Sequence, residues 1–193
     1  SVTNIIDYAF YRCTLLVEIV IPNSVKKIGS NAFSECHSLE KVTFEENSKI
    51  TEIADGTFYN CKKLNAFVIP VDVTSIGTSS FGNCSSLIEI VIPIKVVIIK
   101  NNAFSKCDNL TIKCEANTKP SGFESNWNNN GGTTFEIVWG YCNHVKGDWI
   151  IDLEATCIKE GHKVQKCVKC NAVLAEEKID KITHTFNKTE ISD

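Results

Sequence analysis

Ten cysteines and four histidines stand in this 193-residue chain, and their spacing decides what chemistry is open to them. Cys167-Val-Lys-Cys170 has the two-residue gap that lets two thiolates reach one Zn²⁺. Cys157 offers a third ligand and His184 or His144 a fourth, which together would make a closed Cys₃His structural site. Asn171, directly after the pair, tolerates the left-handed turn that such knuckles often need. Two other outcomes stay open. In an exported protein Cys157 can close onto Cys167 or Cys170 as a disulfide, and the thiols can equally stay reduced. Cys114 and Cys142 form a second candidate pair by position alone.

Nothing beside these residues adds up to a catalytic site. An enzyme needs a nucleophile with a base, paired carboxylates or an open metal site. The chain has no His-Glu-x-x-His, no Gly-x-Ser-x-Gly and no phosphate-cradling glycine loop. His37 falls at a variable position and is expected to be a solvated surface residue. With 43% hydrophobic and 22% charged residues the composition is that of an ordinary globular chain. A net charge of −3 gives no basic face for nucleic acid, and it disfavours acidic substrates and anionic membranes. The most apolar stretch, Leu87 to Ile99, is broken by Glu89, Pro93 and Lys95 and is far short of the ~20 residues a bilayer requires. The chain contains no Met, so it reads as an excised piece whose export signal or anchor lies elsewhere.

Half of the cysteines have a different explanation, which is repetition. Ala9-Phe10-x-x-Cys13 returns at Phe33/Cys36, Phe58/Cys61, Phe81/Cys84 and Phe104/Cys107, in steps of 23, 25, 23 and 23 residues. A Leu follows each Cys by three residues, from Leu16 to Leu110, and an Ile precedes each Phe by five, from Ile5 to Ile99. Between Leu and the next Ile the apolar residues alternate, as in Leu16-x-x-Ile19-x-Ile21-Pro22, which predicts a strand with one buried face. Proline has no N–H for a ladder and ends the strand. The two extra residues of the second copy fall between Glu45 and Lys49, so they form a loop.

One such unit cannot bury its own Leu, Ile and Phe, but stacked units bury them against each other. The strands then pair in parallel at ~4.8 Å per coil, with right-handed connections. Gly29 and Gly77, after the Ile, are expected to supply a tight bend. The phenylalanines stack as a spine. Cys13, Cys36, Cys61, Cys84 and Cys107 form an interior ladder of small hydrophobic thiols, because parallel Cβ vectors do not converge as a disulfide requires.

The motif Ile-Gly-x-x-Ala-Phe-x-x-Cys-x-x-Leu-x-x-Val-x-Ile-Pro resembles the repeat of BspA-like proteins, the treponemal class of leucine-rich repeats. The resemblance covers residues 1–114 as five repeats. It extends to residues 115–142, where Phe123, Trp127 and Phe135-x-Ile137-x-Trp139 are similar to that family's end cap. It implies a right-handed leucine-rich-repeat superhelix with a parallel β-sheet on one face. It further implies a non-enzymatic protein of the bacterial cell surface that adheres to protein partners, host extracellular matrix and serum proteins among them. No cofactor is expected for the solenoid.

The outward strand residues offer the binding strip. Val20, Thr43, Val68, Val91 and Lys113 form its central line, with Glu18, Lys41, Ala66 and Glu89 beside it. Exposed β-branched residues also suit strands for their own sake, but a strip this apolar marks a protein-binding face. Val20, Thr43, Val68, Val91, Lys41 and Glu89 are therefore the candidate contact residues. The alternative is an architectural spacer with no ligand of its own. The aromatic cluster of residues 115–142 is read as hydrophobic capping rather than as a sugar platform.

From Asn143 the period disappears. His144, Trp149, Ala155-Thr156-Cys157, Gly161, Cys167-x-x-Cys170 and His184 mark a small, mainly β module over 143–193, with His184 forty residues after His144 as the start of a next copy. Similar tandem modules occur in surface proteins of gut-type Gram-positive bacteria. A module this small has little core and needs a staple of metal or disulfide.

Overall fold

The computed structural model describes residues 2–130, 135–156, 158–168 and 172–183. The chain divides into two compact units, Ser1–Tyr141 and Cys142–Asp193.

The first unit is a parallel β-solenoid with no helix among the described residues. Each alternating run forms an outer strand: β2 (Glu18–Ile21), β4 (Lys41–Phe44), β6 (Ala66–Phe67), β8 (Glu89–Ile92), β10 (Thr111–Cys114) and β12 (Glu136–Trp139). They pair in parallel as β2-β4-β6 and β8-β10-β12. Register follows the repeat, with Val20 opposite Thr43, and Val91 and Val138 flanking Lys113. Val42, Phe67, Ile90 and Ile112 point inward and are buried.

Beside these outer strands the Ile line adds parallel two-residue strands: β1 (Asn4–Ile5), β3 (Lys27–Ile28), β5 (Glu52–Ile53), β7 (Ser75–Ile76), β9 (Ile98–Ile99) and β11 (Gly122–Phe123), paired as β1-β3 and β5-β7-β9-β11. Two residues show no alternation long enough to read as a strand, which is why the sequence hid them. Gly29 and Gly77 follow this line, and neither has a positive φ. A Cβ on either would collide with the backbone of the coil before it, at Asp7 or Asp55. Close approach, not a tight bend, is what requires glycine there.

The third face is the segment around each Phe, and its backbone alternates. The residues two before and two after the Phe are left-handed, as in Asn31 (φ 54°) and Glu35 (φ 63°), or Ser79 (φ 51°) and Asn83 (φ 61°). Asn and Gly recur at these positions because they occupy that region at low steric cost. The alternation aims every second N–H at the next coil: Asn31 donates to Asp55, Phe33 to Thr57 and Glu35 to Tyr59, at 2.8–3.0 Å. The intervening N–H groups close local turns. The backbone of this face is thereby satisfied without a regular strand.

Inside, Phe10, Phe33, Phe58, Phe81 and Phe104 stack nearly parallel at 5.0–5.5 Å between ring centroids. Trp127 meets Phe104 edge-on at 6.3 Å and ends the stack. Phe123, Trp127 and Phe135 are buried against the last coil. Rings turned inward cannot serve as a sugar platform.

The second unit is a three-stranded antiparallel meander, β13 (Lys146–Leu153), β14 (Gly161–Cys167) and β15 (Val173–Ile179), with β14 in the middle.

Candidate functional site and family

The repeated cysteines explain themselves first. Cys36, Cys61, Cys84 and Cys107 are fully buried free thiols. Each Sγ donates to the Phe carbonyl of the preceding coil, Cys36 to Phe10, Cys61 to Phe33, Cys84 to Phe58 and Cys107 to Phe81, at 3.1–3.2 Å. The same carbonyls accept the N–H of their own coil's Cys, so both lone pairs are engaged. Alanine would leave that second lone pair empty, and serine would add a strongly polar group to an apolar core. Burial pushes the Cys36 thiol up to about 11 and the Cys107 thiol up to about 12, and it raises Cys61 and Cys84 as well. These are poor nucleophiles and poor metal ligands. Cys13 departs from the expected interior ladder: it is exposed, with a coil on only one side of it among the described residues.

The strip on the outer strands holds the candidate ligand face. Among the described residues Val20 and Val68 are exposed and Val91 is half-buried. Glu89 pairs with Lys113 at 2.6 Å, and this hydrogen bond holds the Lys113 ammonium above its ordinary range. The strip is not uniform. Pairing of β4 with β6 stops at Phe67, next to the loop that carries the two inserted residues. There a groove of about 510 Å³ opens between the second and third coils. Phe44, Phe67 and Ile69 are among its apolar lining residues, with Glu45, Asn47 and Ser48 from the second coil and Val68, Val71 and Asp72 from the third. Asp72 is held below the usual carboxylate range by its 2.6 Å hydrogen bond from Lys95. Of the candidate contact residues, Lys41, Thr43 and Val68 line this groove, while Val20, Val91 and Glu89 lie elsewhere on the strip. The insertion was legible in the sequence, but the groove it opens was not. Its signal was the position of the extra residues, directly after a strand.

His37 is half-exposed and belongs to a short polar row across the coils. Its Nε2 lies 3.1 Å from Asn60 Nδ2 and 3.7 Å from Glu35. Asn83 in turn donates to Asn60.

In the second unit the candidate metal residues divide. Cys157, Cys170 and His184 lie outside the described residues. Cys167 ends β14, buried, and the structure brings to it two residues from the segment before β13. The Sγ atoms of Cys142 and Cys167 are 3.4 Å apart, and a ring nitrogen of His144 completes a group whose ligand atoms all lie within 4.8 Å of one another. Within this unit Cys142 is therefore beside Cys167, while Cys114 is buried in the solenoid core with its thiol pushed up to about 12. Cys142-Asn-His144 carried the missed signal, a cysteine and a histidine two residues apart.

Comparison with known proteins agrees with this geometry. The family model of the BspA type leucine rich repeat region matches residues 1–124 in six copies, one more than the Phe-Cys motif counts. The solved leucine rich repeat protein of T. pallidum is 33% identical with a TM-score of 0.55, over 58% of this chain and 52% of that one. A leucine rich cell surface protein from Faecalibacterium prausnitzii is 35% identical with a TM-score of 0.55, over 66% of this chain and 32% of that one. A leucine-rich repeat protein from Bacteroides ovatus is 32% identical with a TM-score of 0.56, over 64% and 30%. The chain thus spans between about a third and a half of the lengths of these proteins. Comparison with curated proteins gives no match. The period, the thiol ladder and these matches together place the chain in the BspA-type leucine-rich repeat family.

Proposed function

We propose that the chain is a non-enzymatic cell-surface scaffold that adheres to a protein partner through its outward strand face, with the groove beside Val68 as the centre of contact. The observation that carries this reading is apolar exposure at a concave place. Val68 is 78% exposed and Val71 71%, and both line the groove together with Phe44, Phe67 and Ile69. Exposed apolar surface in a concave site with a few charges around it is what protein partners bury. Lys41, Glu45 and Asp72 supply those charges. The description of the Faecalibacterium relative as a cell surface protein supports an extracellular location. No helix among the described residues is long and apolar enough to cross a membrane.

The test is a binding panel of extracellular matrix and serum proteins against the immobilised chain. Val68→Lys with Val71→Lys should weaken a retained partner by at least about tenfold, the loss of one or two apolar anchors, with an unchanged melting curve. A partner that ignores the double variant would move the site elsewhere. A panel with no binder at all would favour the spacer reading.

A further inference from the structure

Among its described residues the second unit buries little. Its three strands form one layer, and among its described hydrophobic residues only Val164 and Cys167 are buried. Ile150 and Ile151 on β13 are each about half exposed, at 51% and 52%. A lone three-stranded layer of this kind is marginal in water without a staple.

The staple's parts are gathered at one end of the meander. The Cys167 N–H donates to the Ala172 carbonyl at 2.8 Å, just before β15. The Val168 N–H donates to the Val145 carbonyl at 3.0 Å, which ties the segment before β13 to the end of β14. This second bond holds the segment that carries Cys142 and His144 next to Cys167. His144 itself has a left-handed backbone, φ 41°.

We propose that Cys142, His144 and Cys167 bind one Zn²⁺ that holds this unit together. Tetrahedral zinc with bonds of ~2.3 Å to sulfur sets two thiolates ~3.8 Å apart, close to the 3.4 Å observed. A disulfide between the same cysteines would use two of the three groups. A metal uses all three. Two thiolates with an imidazole form a borderline-soft set that selects zinc over magnesium or calcium. Binding releases two thiol protons and leaves a neutral centre, so affinity falls as pH drops. The proposal concerns the second unit alone and stands apart from the adhesive reading of the solenoid.

The experiment uses the full chain, reduced and freed of metal, titrated with Zn²⁺ or Co²⁺ alone. One zinc per chain is expected, and Co²⁺ should give a tetrahedral d–d spectrum with a thiolate charge-transfer band. Cys142→Ser and His144→Ala should each weaken binding at least about tenfold, as loss of a ligand does, while Cys13→Ser leaves it unchanged. His144→Cys should restore a tetrahedral cobalt spectrum with stronger charge transfer, which a merely misfolded unit would not give. The proposal is overturned if the reduced chain takes up no zinc at micromolar concentration, or if His144→Ala keeps the full spectrum. It is equally overturned if the unreduced chain is lighter by two hydrogens at Cys142 and Cys167 and takes up no metal after reduction.

Discussion

The two units use the same residue in opposite ways. In the solenoid, cysteine is a packing residue: four thiols sit one per coil, fully buried, each bonded to a carbonyl of the coil before. In the second unit, cysteine stands in a cluster with a second sulfur and an imidazole, at the end of a sheet that buries little among its described residues. The difference follows from how each fold gains stability. Stacked coils supply every buried group with a neighbour on both sides, so a small apolar residue suffices. A single layer lacks that neighbour and has to be tied by stronger bonds.

The largest break in this comparison should come from the solenoid core. Phe58 stacks between Phe33 and Phe81 and touches Phe67 at 4.9 Å. Phe58→Ala should cost about 3–5 kcal/mol in a denaturant melt, and a loss under 1 kcal/mol would show the stack is not continuous.

Cysteine in the ladder comes next. Cys84→Ala removes a buried thiol and its hydrogen bond to Phe58, and about 1–3 kcal/mol should be lost. The pH dependence has a definite sign. A thiol whose folded pKa is raised stays protonated while its unfolded counterpart ionises, so stability is full below about pH 8.5. It should then fall as pH rises through about 11 and 12, the range of Cys36, Cys107 and Cys114. Melts at pH 7, 9 and 10.5 check this, and a curve that stays flat to 10.5 would speak against buried thiols.

Two smaller changes sharpen the account of the third face. Lys106 is left-handed at φ 58°, at a position where Asn60 and Asn83 stand in other coils. Lys106→Asn should stabilise by up to about 1 kcal/mol. Ser80 is buried, and its hydroxyl has no hydrogen-bond partner among the described residues. The equivalent residues Ala32 and Ala103 have no hydroxyl, so Ser80→Ala should be neutral or stabilise by a few tenths of a kcal/mol. Thermal melts of both variants read these shifts.

What the sequence disclosed and what it hid separate along physical lines. Phe, Cys, Leu and Ile recur at fixed spacing because each occupies a one-residue slot in every coil, so the core was readable position by position. The two-residue strands of the Ile line were not, because Lys27–Ile28 or Glu52–Ile53 is too short to show a period. The left-handed positions were obscured because Tyr8, Arg12 and Lys106 fill slots that Asn and Gly fill elsewhere. In the second unit the Cys167-x-x-Cys170 spacing is legible in the sequence, whereas the nearness of Cys142 and His144 to Cys167 comes from the fold. Only the fold reveals ligands brought together from distant segments.

Site-resolved alkylation of the native, reduced chain with and without zinc tests the contrast most directly. The account predicts that Cys13 is modified in both conditions, that Cys142 is modified only when zinc is absent, and that Cys36, Cys61, Cys84 and Cys107 resist until the chain unfolds. Ladder thiols that react as fast as Cys13, or zinc that leaves Cys142 unprotected, would contradict it.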